Sequence, residues 1–126
     1  MKTLLTISLC LCALVVNSAQ LPTSSLAVRA IIGEAAGEPF QTKLAIAGAL
    51  RNRGTLEGVV GLRNARMINR QPAWVWRDAR VAWAESATND ITHGAAFFES
   101  TNFPTPSWAV DMHITASVGK FRFYKP

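Results

Sequence analysis

Ile31-Ile32-Gly33-Glu34-Ala35-Ala36-Gly37-Glu38-Pro39 sets two carboxylates among small residues at the point where one apolar helix ends and another begins. Upstream, Ser25 to Ile32 reads as a buried helix, with Thr23, Ser24 or Ser25 available as its N-cap and Leu26, Val28, Ala30, Ile31 and Ile32 as its apolar surface. Glu34 then falls in the last turn. A carboxylate there meets the negative end of the helix dipole and partial desolvation, and both disfavour its charged form, as a general acid requires. Gly33 and Gly37 flank it without bulk, so a large substrate can approach the backbone, and Gly37-Glu38-Pro39 ends one helix and starts the next. Two glutamates at a helix junction are more commonly solvated charges or caps, so the remainder of the chain has to decide.

Downstream, Gln41 to Arg53 reads as a second helix with Leu44, Ile46, Ala47 and Leu50 apolar, cations in its last turn and a stop at Gly54. Its small stretch Ala47-Gly48-Ala49 lets another helix come close, which makes this the central helix of the core. Leu56 to Gly61 fits either a helical turn or a strand, and Arg63, Arg66 and Arg70 follow at helical spacing, as a solvated face or as a wall for an anionic substrate. A third long helix is expected from Pro72 to about Thr88, with Trp74, Trp76 and Trp83 mostly in the core. Beyond Asp90 the pattern turns extended. Ala95 to Phe98, His113 to Ser117 and Phe121 to Tyr124 suggest a small antiparallel sheet. The expected fold class is therefore α+β, mainly helical, with the sheet toward the C-terminus.

The 126 residues suffice for one domain with a real core. The formal charge of +5 suits an anionic partner: nucleic acid, a membrane surface or an acidic wall polymer. Nucleic acid rests on charge alone and is not expected. Met1-Lys2, the apolar run Leu4 to Val16 and the small residues around Ser18 and Ala19 read as a secretory signal peptide over residues 1–19, leaving residues 20–126 as an exported domain (periplasm, cell wall or extracellular), with no stable membrane insertion after cleavage. Both cysteines, Cys10 and Cys12, lie in that segment, which removes thiol chemistry and disulfides from the mature chain. His93 and His113 form no metal-ligand spacing, so no metal is expected, and no nucleotide or dinucleotide fingerprint points to a cofactor. His93, before Gly94, reads as a turn residue able to line a cleft.

Carboxylate chemistry in an exported, basic, mainly helical domain points to glycan cleavage. Glu34 and Glu38 are separated by Gly37 and followed by Pro39, which argues against one continuous helix face carrying both. A mechanism with one glutamate avoids that difficulty: the acid protonates the glycosidic oxygen, and its carboxylate then takes a proton from the substrate's own C6 hydroxyl.

The chain resembles the cell wall hydrolases that include the catalytic domain of the spore cortex-lytic enzyme SleB. The resemblance runs from about Leu26 to Tyr124 through GEAAGEP at Gly33 to Pro39, QTKLAIAGALRNR at Gln41 to Arg53, DITHGAAFF at Asp90 to Phe98, Pro106 with Trp108, and VGKFRFY at Val118 to Tyr124. It implies a lysozyme-like fold and lytic transglycosylase cleavage of peptidoglycan glycan strands at muramic acid, with Glu34 as catalytic acid and base. It also implies that Glu38, His93, Phe98, Trp108 and Tyr124 contact substrate, although capping or loop ordering is the plainer role for Glu38. Three positions depart from the family pattern: Ala36 stands where arginine is frequent, and Lys120 and Phe121 where asparagine and histidine are usual. A monomer is expected. The alternatives are a muramidase that uses water, with Glu38 or Asp90 as its second carboxylate, and a non-catalytic peptidoglycan-binding module.

Overall fold

The computed structural model describes residues 23–126; the expected signal segment and cleavage site lie outside the described residues. Among the described residues four α-helices precede the sheet: α1 (Ser24–Ala35), α2 (Phe40–Arg53), the short α3 (Ala65–Asn69) and α4 (Ala73–Glu85). A 3-10 turn at Val60–Arg63 precedes α3. Strands β1 (Phe97–Ser100), β2 (His113–Val118) and β3 (Phe121–Lys125) follow, with a second 3-10 turn at Ser107–Ala109 between β1 and β2. No helix among the described residues is long and apolar enough to cross a membrane.

Helix α2 is the core of the domain, as its small and apolar residues require. Every side chain from Thr42 to Leu50 is buried, with α1, α4 and the sheet packed around it. Ile31 and Ile32 of α1 and Leu44, Ile46 and Leu50 of α2 are fully covered, each contributing roughly 1.5–3 kcal/mol of hydrophobic stabilisation. Gly48 has a specific reason: a Cβ there would stand 2.9 Å from the Asp90 carboxylate. That carboxylate accepts hydrogen bonds from the Thr92 hydroxyl (2.6 Å), the Thr92 and Gly94 amides (both 2.9 Å) and the Asn52 side chain (2.8 Å). Burial alone would raise the Asp90 carboxyl; these hydrogen bonds outweigh it and hold the group below its ordinary value. Asp90 thus pins the turn that launches the sheet onto the end of α2.

The sheet is antiparallel in the order β1-β3-β2, with β1 at an edge. Phe97 pairs with Tyr124, Phe98 with Phe123, Glu99 with Arg122 and Ser100 with Phe121. A bulge in β2 between Ile114 and Ala116 frees Thr115, whose hydroxyl donates to the Thr92 carbonyl at 2.6 Å.

The α+β expectation therefore holds, with particular differences. Helix α1 runs three residues past its apolar stretch to Ala35, with Glu34 in its last turn as expected. Leu26 is 49% exposed instead of packed. The tryptophans of α4 divide: Trp83 is buried, Trp76 half-buried, and Trp74 is 49% exposed rather than core. Each covers a cation, Arg51 over Trp83 at 3.9 Å, Arg29 over Trp76 at 5.8 Å and Lys43 over Trp74 at 5.7 Å, so the rings shield α1 and α2 cations as much as they fill space. Arg63, Arg66 and Arg70 share no helix: Asn64 separates the 3-10 turn from α3, Arg70 caps α3, and all three are exposed.

Candidate active site in the cleft between helices and sheet

The last turn of α1 carries Glu34 to the edge of a cleft of about 810 Å³ bounded on one side by α1 and the Gly58 to Gly61 segment and on the other by β1 and the following loop. Gly33 and Gly61 make this possible. A Cβ on Gly33 would lie 2.4 Å from the Gly61 carbonyl oxygen, and one on Gly61 would lie 2.5 Å from the Gly33 carbonyl carbon. Only two glycines let these backbones touch. The contact brings the Gly61 amide to Glu34, donating to Oε1 at 2.9 Å. That amide opens the 3-10 turn at Val60–Arg63 and has no partner within it, so the carboxylate both satisfies a free donor and is fixed in direction by it. Among the described residues no donor engages Oε2.

Glu38 also lines the cleft, half-buried. Its amide donates to the Ala35 carbonyl at 3.0 Å, and its carbonyl accepts from the ammonium of Lys43, a side chain with no exposed surface. Burial pushes Lys43 below its ordinary value, and Asp78 and Glu38 oppose that shift. The loop after Glu34 is thus tied down by backbone contacts from α1 and by a buried cation from α2. Helix α2 starts after Pro39 without a side-chain cap, so Glu38 does not act as one.

The opposite wall is aromatic and polar: Phe97, Phe98, Phe103 and Trp108 with Glu99, Ser100, Asn102 and Lys120. Trp108, 44% exposed, packs on Phe97 at 5.9 Å and edge-on to Tyr124 at 5.6 Å, which folds the loop after β1 over the sheet. Phe98 points to the core, 6.1 Å from Phe121 and 6.0 Å from Phe123. Phe121, at the position where the resemblance led to histidine, is a buried packing residue, while Lys120 is exposed and lines the cleft. Arg53 ties the walls together, donating to the Glu57 carbonyl and lying 5.3 Å from the Phe97 ring centre.

Of the six residues singled out in the sequence, the cleft gathers Glu34, Glu38, Phe98 and Trp108. His93 and Tyr124 lie elsewhere. His93 is exposed in the turn below the sheet with φ of 56°, a conformation that the paired Gly94 continues. Tyr124 is buried behind the wall, its hydroxyl donating to Glu99 Oε1 at 2.5 Å; burial and then that acidic partner push the phenol above its ordinary value. Asp90 does not line the cleft, and its lone pairs are taken by Asn52, Thr92 and Gly94. Sequence reading overlooked Glu99, the third carboxylate of the cleft, because it follows directly on the quoted DITHGAAFF stretch and its partners Arg122 and Tyr124 come from β3. Alternation of aromatic and basic residues in Phe121-Arg122-Phe123 of β3 was the available signal. No group of three or more acidic, histidine or cysteine side chains suited to a metal ion occurs among the described residues.

No protein-family model and no curated protein sequence matches the chain. Solved structures do. The catalytic domain of the Bacillus cereus SleB protein superposes with a TM-score of 0.62 at 23% identity, over 84% of this chain and 96% of that one. The chain has the fold of the SleB catalytic domain. The catalytic domain of the germination-specific lytic transglycosylase SleB from Bacillus anthracis agrees, with a TM-score of 0.61 at 22% identity over 81% of this chain and 93% of that one. The chain spans nearly all of both SleB domains, so the likeness of fold takes in the helices and the sheet alike.

Proposed function

We propose that this protein is an exported peptidoglycan-cleaving enzyme of the lytic transglycosylase type, acting on the glycan strand at muramic acid through Glu34. The observation that carries the reading is Glu34 itself, in the wall of the cleft with Oε1 held by the Gly61 amide and Oε2 unengaged among the described residues. The Bacillus anthracis neighbour, a germination-specific lytic transglycosylase with the same fold, supports the reaction class. The signal-like N-terminus supports export to where peptidoglycan lies.

The chemistry follows from one carboxyl group in a fixed direction. Glu34 in its acid form gives its proton to the glycosidic oxygen as the bond to muramic C1 breaks, and the leaving sugar departs with a free hydroxyl. The resulting carboxylate then accepts the proton of the muramic C6 hydroxyl, whose oxygen bonds to C1 and closes a 1,6-anhydro ring. Glu34 ends protonated and no water is consumed. Because the Gly61 amide occupies one oxygen throughout, the other handles both protons without a change of rotamer, and the two transfers share one geometry. The aromatic wall of Phe97, Phe103 and Trp108 offers flat faces for sugar rings, and Ser100, Asn102 and Lys120 offer polar contacts.

Hydrolysis with an activated water is the second reading, favoured by Glu38 and Glu99 in the same cleft. A non-catalytic wall-binding module is separated from both by Glu34→Gln. The substitution keeps an oxygen for the Gly61 amide, so it is expected to abolish release of soluble fragments from purified peptidoglycan while co-sedimentation with insoluble wall persists. A parent protein that binds the wall and releases nothing would overturn the enzymatic reading.

A further inference from the structure

The sheet wall contains a carboxylate whose surroundings are unlike those of Glu34 or Glu38. Glu99 sits in edge strand β1, directly opposite Arg122 of β3, and lines the cleft although its side chain is only 10% exposed. Two donors converge on one of its oxygens. Arg122 reaches Oε1 at 2.8 Å and the Tyr124 hydroxyl reaches the same atom at 2.5 Å. Arg122 is itself fixed by donation to the Phe103 carbonyl at 3.3 Å, and Tyr124 by the edge of Trp108 at 5.6 Å. Among the described residues nothing donates to Oε2.

A buried carboxylate costs free energy unless its charge is paired, and here both partners, Arg122 and Tyr124, lie outside the lining of the cleft. Removing one partner of such a pair leaves an uncompensated charge, whereas the assembled group is a fixed acceptor with unused lone pairs. Beside exposed Trp108 and the ring of Phe97, this is the combination that sugars match: an aromatic face for the ring and a charged acceptor for a hydroxyl or acetamido N–H. We propose that Glu99 is a substrate-anchoring residue, its Oε2 accepting a hydrogen bond from a hydroxyl or acetamido N–H of an N-acetylated amino sugar, with Arg122 and Tyr124 as the residues that position it. The role is binding, not proton transfer. It rests on the reading of the cleft as a glycan site and supplies that site with a named polar contact on the wall opposite Glu34.

The test measures binding without turnover, so all proteins carry Glu34→Gln. Calorimetric titration uses a tetrasaccharide of alternating N-acetylglucosamine and N-acetylmuramic acid, with thermal unfolding followed in parallel. Adding Glu99→Gln keeps an oxygen for Tyr124 and Arg122 but removes the charge, and Kd is expected to rise roughly tenfold, the lower end for a hydrogen bond to a charged group. Adding Tyr124→Phe instead leaves the charge and removes one positioning donor; a smaller rise in Kd, roughly threefold, is expected, and this variant carries the test if Glu99→Gln does not fold. Unchanged Kd in the folded variants, with only a lower Tm, would show that Glu99 merely braces the sheet and would overturn the proposal. A Glu34→Gln protein that binds no tetrasaccharide at all overturns the glycan-site reading along with it.

Discussion

The two walls of the cleft are held by different means. On the helical side, Glu34 is fixed by main chain: Gly33 against Gly61, and the Gly61 amide on the carboxylate. On the sheet side, Glu99 is fixed by side chains, Arg122 and Tyr124, which are in turn braced by Phe103 and Trp108. A backbone lock has almost no freedom to adjust, since neither glycine can accept even a methyl group. A side-chain network can lose one member and relax. The wall that holds the proposed acid and base is therefore the stiffer one, and the wall proposed to grip sugars is the more adaptable.

Substitutions can break that contrast, beginning with the largest effect. Glu34→Gln is expected to reduce cleavage by on the order of 10²–10⁴-fold with Tm nearly unchanged, measured by fragment release and by thermal unfolding. Gly61→Ala comes next: the new methyl group meets the Gly33 backbone, so the amide and Glu34 must part, and fragment release should fall by about 10²-fold with a stability cost of about 1–3 kcal/mol. Near-parental activity in Gly61→Ala would show the backbone lock to be dispensable. Asp90→Ala probes the joint between the walls, because it strips acceptors from Asn52, Thr92 and Gly94; urea unfolding should show a loss of about 2–3 kcal/mol.

The same joint sets a pH dependence. Asp90 is held below its ordinary value in the folded protein, so between the two values the unfolded chain binds the extra proton. Its contribution to stability is complete above the ordinary carboxylate value of about 3.9 and is lost as pH falls through the lower folded value. Asp90→Asn should flatten that part of the acid unfolding profile; an unaltered profile would assign the acid sensitivity to other carboxylates. The smallest effect expected is that of Trp108→Ala, which removes aromatic contacts to Phe97 and Tyr124 worth about 0.5–1.5 kcal/mol each and exposes the Glu99 cluster. If Trp108→Ala lowers activity as much as Gly61→Ala does, the contrast between a rigid and an adaptable wall fails.

The same contrast governs what the sequence disclosed. The position of Glu34 was legible because its helix, its flanking glycines and its place in the last turn are neighbours in the chain, and α2 was legible because its small and apolar residues run without interruption. The partner of Gly33 was not, since Gly61 lies in a short turn whose pattern fits helix or strand equally. Glu99 was hidden for a similar reason: it acquires meaning only when β3 pairs with β1 and places Arg122 opposite it. Tyr124 was marked as a residue of the cleft and is found one layer behind, supporting Glu99 instead of lining the surface. Trp74 misled because helical spacing cannot tell which side of α4 meets the core, and its ring covers Lys43 at the surface. Local chemistry is written in the chain, and contacts across the cleft are written only in the fold.

The most direct test of the one-glutamate mechanism is mass spectrometry of the soluble fragments that the mature protein releases from purified peptidoglycan, with Glu34→Gln alongside. Fragments ending in 1,6-anhydro-muramic acid, one water lighter than reducing ends and absent with Glu34→Gln, are the predicted result. Reducing muramic ends would contradict it, because they require a water in place of the C6 hydroxyl at C1.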